Sequence, residues 1–368
     1  MSTIEDAKNQ LGELFIIGFN GFELSDDTSA FLSQAKIGGV ILFAANYDNP
    51  AQVTELIRQA QESRSGLPLW IAVDHEGGKV QRFRKGFTQI PSAETIGKAN
   101  SPKLTFQISE IMATELRAVG VNLNFCPVAD IWTNPKNTVL NTRTYGQTED
   151  HVSKMVTAMV RGHVIQKVQP CIKHFPGHGD TFVDSHFVLP KVNTPIDVLQ
   201  NRELKPFYKA LRSHCSCVMT AHILNPTIDP DFPATLSKKT IQNLLKQQNR
   251  ASPIIISDDL EMKAITDNYG LADASRLALE AGCDILIYKT EATARKAYDA
   301  LLKSLEDNKL DPGIVIEAAK HVRTFKQSTL MPYEPPAMTE LSTKIGIEEY
   351  KKVIEQLASE VRKQMSKI

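Results

Sequence analysis

Residues 39–73 read GVILFAANYDNPAQVTELIRQAQESRSGLPLWIAV: a short apolar, β-rich run, a longer segment of helical periodicity, and a second apolar run. The alternation recurs along the chain, with short apolar runs at 14–19, 39–43, 69–73, 122–127, 171–175, 217–222, 254–257 and 284–288. Strands separated by helices call for a parallel sheet with helical crossovers. Eight of them predict a closed (β/α)8 barrel of the TIM type, within the α/β class. A doubly wound open sheet is the competing arrangement. It usually holds fewer strands, and no Gly-rich turn of the dinucleotide type follows any strand here.

At 368 residues the chain is long for one domain, but barrels with insertions reach this size. The expected division is a catalytic barrel over residues 1–335 and a helical tail over 336–368. Pro335 and Pro336 lead into a charged segment with Ile347, Tyr350, Ile354, Leu357, Val361 and Met365 at helical spacing. Such an amphipathic helix could dock on the barrel, pair with another subunit or stay mobile, so the expected state is a monomer or weak homodimer.

With 42% hydrophobic and 23% charged residues the chain can bury a sizeable core. Its 42 Lys plus Arg balance 42 Asp plus Glu, so no global field draws it to nucleic acid or an anionic membrane, and a small neutral or mixed-charge substrate fits better. Acidic residues stand near the start, where an export signal would be basic. The apolar runs fall short of the roughly 20 residues of a spanning helix. The expectation is a soluble, cytoplasmic protein without membrane insertion. Cys126, Cys171, Cys215, Cys217 and Cys283 lie in apolar, strand-like stretches without metal-type spacing and read as inert buried thiols.

Polar residues gather where the strands end: Asp74, Lys173, His174, His222 and Asp258. In a barrel these positions converge on one mouth. Any one alone could be a helix cap; five together are harder to explain so. The densest group is 173–186, KHFPGHGDTFVDSH, where Pro176, Gly177 and Gly179 break regular structure and permit a loop folded over a pocket. Asp184 and His186 stand two apart, so the carboxylate can accept from the imidazole, fix its tautomer and leave the other nitrogen to exchange a proton with substrate. A metal site from His174, His178, Asp184 and His186 is the competing reading, as is a loop that merely holds itself together.

Residues 254–262, IIISDDLEM, place Asp258 and Asp259 directly after a buried strand. Adjacent residues on an extended chain face opposite ways, so one carboxylate reaches the mouth and the other supports it, and spacing leaves open which. A carboxylate there can attack an anomeric carbon and form a glycosyl ester. Residues 74–84, DHEGGKVQRFR, supply Asp74 and Arg82 as hydroxyl-binding groups, and Arg143 could add a further clamp.

With these motifs in view, the sequence resembles the bacterial β-N-acetylglucosaminidases (β-hexosaminidases) of glycoside hydrolase family 3, of the NagZ type. KHFPGHG followed by DSH, with ISDDL, DHEGGKVQRF, GVILFAAN, NFCPVADI and VMTAHI, runs in the family's order across about residues 10 to 330. The resemblance implies that Asp258 is the nucleophile and that His186, oriented by Asp184, is the acid/base. It implies that Asp74, Arg82, Arg143, Lys173, His174 and His222 bind the terminal sugar, without metal or cofactor. It further implies a muropeptide substrate and a place in peptidoglycan recycling. Departures are His75 where glutamine is common, Tyr145 where phenylalanine is common, and the tail. The rival functions are a family 3 glycosidase or phosphorylase acting on another sugar, and a non-catalytic sugar-binding protein.

Overall fold

The structure is a computed structural model that describes residues 3–182, 185, 188–247 and 252–366. Its centre is a closed barrel of β1 (Phe15–Ile17), β2 (Gly39–Leu42), β3 (Trp70–Val73), β4 (Leu123–Asn124), β5 (Gln169–Phe175), β6 (Cys217–Thr220), β7 (Ile254–Asp259) and β8 (Ile285–Tyr288). Neighbouring strands pair in parallel, and β8 returns to β1 with Ile16 opposite Ile287. Strands buried on both faces read as unbroken apolar runs rather than alternating ones, as in Gly39–Leu42, Trp70–Val73 and Ile285–Tyr288, where every residue is buried. The (β/α)8 barrel expected from the sequence is thus the fold. Strand ends shifted: β4, Leu123–Asn124, is shorter than 122–127, because the Cys126 N–H turns back to the Asn124 carbonyl at 2.8 Å instead of joining the ladder. β7 runs on through Asp258 and Asp259.

The crossovers include α1 (Asp26–Gln34), α2 (Pro50–Glu62), α3 (Pro102–Ala118), α4 (Glu149–Ile165), α5 (Leu204–Arg212), α6 (Leu271–Ala281), α7 (Glu291–Glu306) and α8 (Pro312–Leu330). Three start on a capping side chain followed by proline: Asn49, Ser101 and Asp311 each accept a backbone N–H of the first turn. This satisfies an otherwise orphaned donor and uses proline where its missing N–H costs nothing. Gly282 ends α6 at φ +113°, a conformation that disfavours any side chain.

At the end of the barrel where strands begin, Lys326 of α8 is fully buried and donates to Glu13 Oε1 at 2.5 Å and the Gly38 carbonyl at 2.6 Å. Arg64 donates to Glu13 Oε2 at 2.5 Å and to the Ile37 carbonyl at 2.6 Å. This network ties α8 and the end of α2 to the segments entering β1 and β2. The tail forms α9 (Glu348–Met365), which lies against α3 and the short helix Ala93–Lys98 with Leu357 fully buried. The five cysteines are free and buried. Among the described residues no helix is long and apolar enough to cross a membrane.

Candidate active site

Where β3 ends, the chain passes through Asp74 into a hairpin of His75–Gly77 against Val80–Gln81. Asn124, at the end of β4, grips the backbone between Asp74 and Glu76: its Oδ1 accepts from His75 N–H and its Nδ2 donates to the His75 carbonyl, both at 3.0 Å. Nδ2 also lies 3.0 Å from His163 Nε2 on α4, which as acceptor puts the ring proton on Nδ1, near the Ser109 hydroxyl and the Met159 carbonyl.

This fixed backbone presents two carboxylates to one buried lysine. Lys173 donates to Asp74 Oδ1 at 2.6 Å and lies 2.8 Å from Glu76 Oε1. Arg143 donates to both Glu76 oxygens, Nε at 2.9 Å and Nη2 at 2.7 Å, in the fork geometry that suits a carboxylate. Arg82 reaches Asp74 Oδ2 more loosely at 3.5 Å. Burial alone would raise Glu76 and Asp74; Arg143 and Lys173 hold Glu76 well below the usual range, and Lys173 and Arg82 hold Asp74 down. Burial would likewise lower Lys173, but the two carboxylates keep it above its ordinary value. These are fixed charges, suited to binding hydroxyls.

At the end of β5, Asp130, from the segment that follows β4, organises the histidines. Its carboxylate accepts from His174 Nδ1 at 2.7 Å, from the His174 N–H at 3.2 Å and from the His178 N–H at 2.7 Å. A carboxylate acceptor puts the His174 proton on Nδ1. Burial opposes the charge on Asp130, and His174 holds it below the carboxylate norm. His178 lies between the Thr181 hydroxyl at Nδ1, 2.9 Å, and the Ser185 hydroxyl at Nε2, 3.2 Å. Burial, then His174, pushes it down to about 4, so it is neutral at pH 7.

The two aspartates of β7 differ in what holds them. Asp259 Oδ1 accepts backbone N–H groups of Glu261 at 3.0 Å and Lys289 at 3.2 Å, and burial pushes its carboxyl up to about 7. Asp258 Oδ1 accepts the Asp259 N–H at 2.8 Å, its one hydrogen bond among the described residues. Asp259 therefore braces the loop ends after β7 and β8, and Asp258 keeps an oxygen for other use.

These groups border one cavity of about 380 Å3, lined by Asp74, Glu76, Arg82, Arg143, Lys173, His174, His178, Ser185, Asp258, Asp259 and Lys289, with Phe43, Phe125, Met219 and Met262 among its apolar walls. The size is at the small end of the roughly 300–1,000 Å3 of small-molecule sites. Of the residues singled out from sequence, Asp74, Arg82, Arg143, Lys173, His174 and Asp258 meet here. His222 is not among the lining residues. It is fully buried behind them, its Nδ1 2.8 Å from the Thr235 hydroxyl and its Nε2 2.9 Å from the Asp259 carbonyl. Asp184 and His186 lie outside the described residues; Ser185, between them, lines the cavity. Two of the four residues of the metal reading thus fall outside as well, and among the described residues no group of three or more His, Cys, Asp or Glu is placed to hold a metal ion.

A carboxylate at the end of a barrel strand, beside a cavity of about 380 Å3 lined by buried charged groups, is accompanied by a match of residues 5–325 to the glycosyl hydrolase family 3 N-terminal domain. The chain belongs to glycosyl hydrolase family 3. As a family 3 glycoside hydrolase it is similar to a β-hexosaminidase of Methylococcus capsulatus, 37% identical over 299 residues that cover 80% of this chain and 86% of the relative. A family 3 β-N-acetylglucosaminidase structure from Paenibacillus sp. superposes with a TM-score of 0.92 at 35% identity, covering 96% of this chain and 68% of that one. NagZ from Neisseria gonorrhoeae, solved with N-trifluoroacetyl-D-glucosamine, gives a TM-score of 0.77 at 27% identity over 95% of this chain and 98% of that one.

Three participants in this family 3 site were not singled out in the sequence. Glu76 stands two residues after Asp74, so the two-residue period of extended chain could have put it on the same face. Asp130 lies in the quoted stretch NFCPVADI, without a local sign that it would meet two histidines more than 40 residues away. Asn124 acts through the backbone of another strand, for which no sequence pattern exists.

Proposed function

We propose that this β-hexosaminidase-like glycoside hydrolase is a retaining exo-β-N-acetylglucosaminidase, with Asp258 as nucleophile and His186, oriented by Asp184, as acid/base. Asp258, with an oxygen free of hydrogen bonds to the described residues, in the cavity that holds the Asp74, Lys173, Glu76 and Arg143 cluster, carries this reading. Asp74, Arg82, Arg143, Lys173 and His174 bind the hydroxyls of the terminal sugar, and His222 serves the site through the Asp259 carbonyl that it faces. In the first step an Asp258 oxygen bonds to the anomeric carbon, the glycosidic C–O bond breaks, and the leaving oxygen takes the proton of the His186 imidazolium. In the second, His186 takes a proton from water, the water oxygen bonds to the anomeric carbon, and Asp258 leaves as carboxylate. An imidazole with an ordinary pKa of about 6.5 can play both parts near neutrality.

The resemblance to NagZ-type enzymes extends the reading to a disaccharide of N-acetylglucosamine and anhydro-N-acetylmuramic acid carrying a peptide, cleaved in the cytoplasm during peptidoglycan recycling. Trapping with a 2-fluoro glycosyl donor followed by mass spectrometry of the peptide containing Asp258 tests the mechanism. A stoichiometric label on Asp258 is expected, and a label elsewhere or none overturns it. Nitrophenyl β-glycosides differing only at the 2-position test the sugar: equal or faster hydrolysis without the acetamido group counts against N-acetylglucosamine.

A further inference from the structure

Arg82 enters the cavity from a loop, residues 81–90, whose fastening lies outside the site. Gln81 spans the loop base: its Nε2 donates to the carbonyls of Phe83 at 3.0 Å and Thr88 at 2.9 Å, and its Oε1 accepts from Ile90 N–H at 2.9 Å. The Tyr47 hydroxyl donates to the Lys85 carbonyl. Behind the loop stands Glu115 of α3, 1% exposed. It accepts the Thr88 N–H at 3.1 Å on each oxygen, the Thr88 hydroxyl at 2.7 Å, and the N–H of Gly346, in the C-terminal segment, at 2.7 Å. Gly346, at φ +63°, lies so close to the loop that a Cβ there would stand 2.1 Å from the Gly86 carbonyl oxygen.

Two observations make this more than packing. No lysine, arginine or histidine among the described residues forms an ion pair with Glu115, so a buried carboxylate is kept at a cost that only its three donor groups offset. Arg82, in turn, is held only loosely by its own side chain. Among the described residues its Nε is buried without a hydrogen-bond partner, its contact with Asp74 is long, at 3.5 Å, and its guanidinium carbon stands 5.8 Å from the centre of the Phe43 ring. With side-chain anchors this loose, the reach of the guanidinium into the cavity depends on where the loop backbone holds its Cα.

We propose that Glu115 is a positioning residue for Arg82, clamping loop 81–90 between α3 and the C-terminal segment at Gly346. The inference rests on the reading that Arg82 binds the terminal sugar. Binding groups must be held close to their productive geometry, so a loop released from this clamp weakens substrate binding without touching the bond-breaking groups.

The test uses the full chain with Glu115→Ala and, on the other side of the contact, Gly346→Ala, each made alone and in an Arg82→Ala background. Hydrolysis of nitrophenyl N-acetyl-β-glucosaminide is expected to show KM raised about tenfold with kcat within about twofold for each variant alone. In the Arg82→Ala background the same changes should move KM by less than about twofold, since their route to substrate is gone. An equal factor in both backgrounds, or an unchanged KM, overturns the proposal. Should Glu115→Ala fail to fold, Thr88→Val removes one donor and carries the same expectation at smaller size. Hydrogen exchange supplies a readout independent of activity: amides of 82–88 should exchange faster in Glu115→Ala, and unchanged exchange also overturns the clamp. If the wild-type chain leaves the substrate intact, the functional reading fails and exchange alone decides on the clamp.

Discussion

Glu76 is the residue on which the charge balance of the cavity turns, because it satisfies Arg143 through both oxygens and shares Lys173 with Asp74. Removing one member of a buried ionic cluster leaves charge without compensation, so Glu76→Ala is expected to destabilise the fold by about 3–5 kcal/mol, read from urea unfolding. A loss below about 1 kcal/mol would mean that water already screens Arg143 there. Asp259 makes a prediction of opposite kind. Its carboxyl is raised to about 7 from an unfolded value of 3.8, so between these pH values the folded chain holds a proton that the unfolded chain has released. Its contribution to stability is therefore present below about 3.8 and is lost as pH rises through about 7. Asp259→Asn removes this dependence. The variant should gain on the wild type between pH 4 and pH 7.5, and a stability difference that stays flat across the range would contradict the burial of this group. The sequence placed Asp258 and Asp259 together but not their division of labour, because that depends on the Glu261 and Lys289 N–H groups, one of them a strand away.

The elements were more legible than their connections. All eight strands announce themselves as apolar runs because both faces of a barrel strand are buried, and the loops announce themselves through glycine, proline and polar residues. The hairpin at His75–Gly77 shows in the sequence only its turn, Gly77-Gly78, both at positive φ; its strands, in DHEGGKVQ, are too short and polar to read as such, and Gln81 and Asn124 hold them. The C-terminal helix was legible from the spacing of Leu357 and its neighbours, but which surface it covers was not, since α3 lies some 240 residues earlier in the chain. Its place on α3 and Ala93–Lys98 predicts a measurable cost. Leu357 is fully buried in a helix that otherwise exposes much of its surface, so Leu357→Ala should cost about 2–4 kcal/mol in the lost transfer of its side chain and the cavity left behind. A change within about 0.5 kcal/mol, measured by denaturant midpoint, would mean that α9 does not pack this way in solution.

Across the whole molecule the barrel divides its polar interior between two ends. At the ends of the strands the buried charges of Asp74, Glu76, Arg143 and Lys173 face a cavity; at their beginnings those of Glu13, Arg64 and Lys326 face one another and the backbone of Ile37 and Gly38. The first arrangement keeps charge available to a ligand, and the second spends it on tying α8 to the barrel floor. Substitutions at the two ends should therefore separate stability from catalysis. Lys326→Ala deprives Glu13 of one of its two cations and empties a fully buried site, for an expected loss of about 3–5 kcal/mol, while kcat and KM of the folded protein stay within about twofold. Asp258→Ala should do the reverse, because its Oδ1 makes one local hydrogen bond and its removal takes away the proposed nucleophile: kcat falls by about a thousandfold or more with the unfolding midpoint little changed. Urea unfolding and steady-state kinetics on the same two preparations check both halves. A Lys326→Ala protein that is stable but slow would show that the floor of the barrel communicates with the mouth, and an Asp258→Ala protein that keeps its turnover would remove the carboxylate on which the proposed chemistry depends.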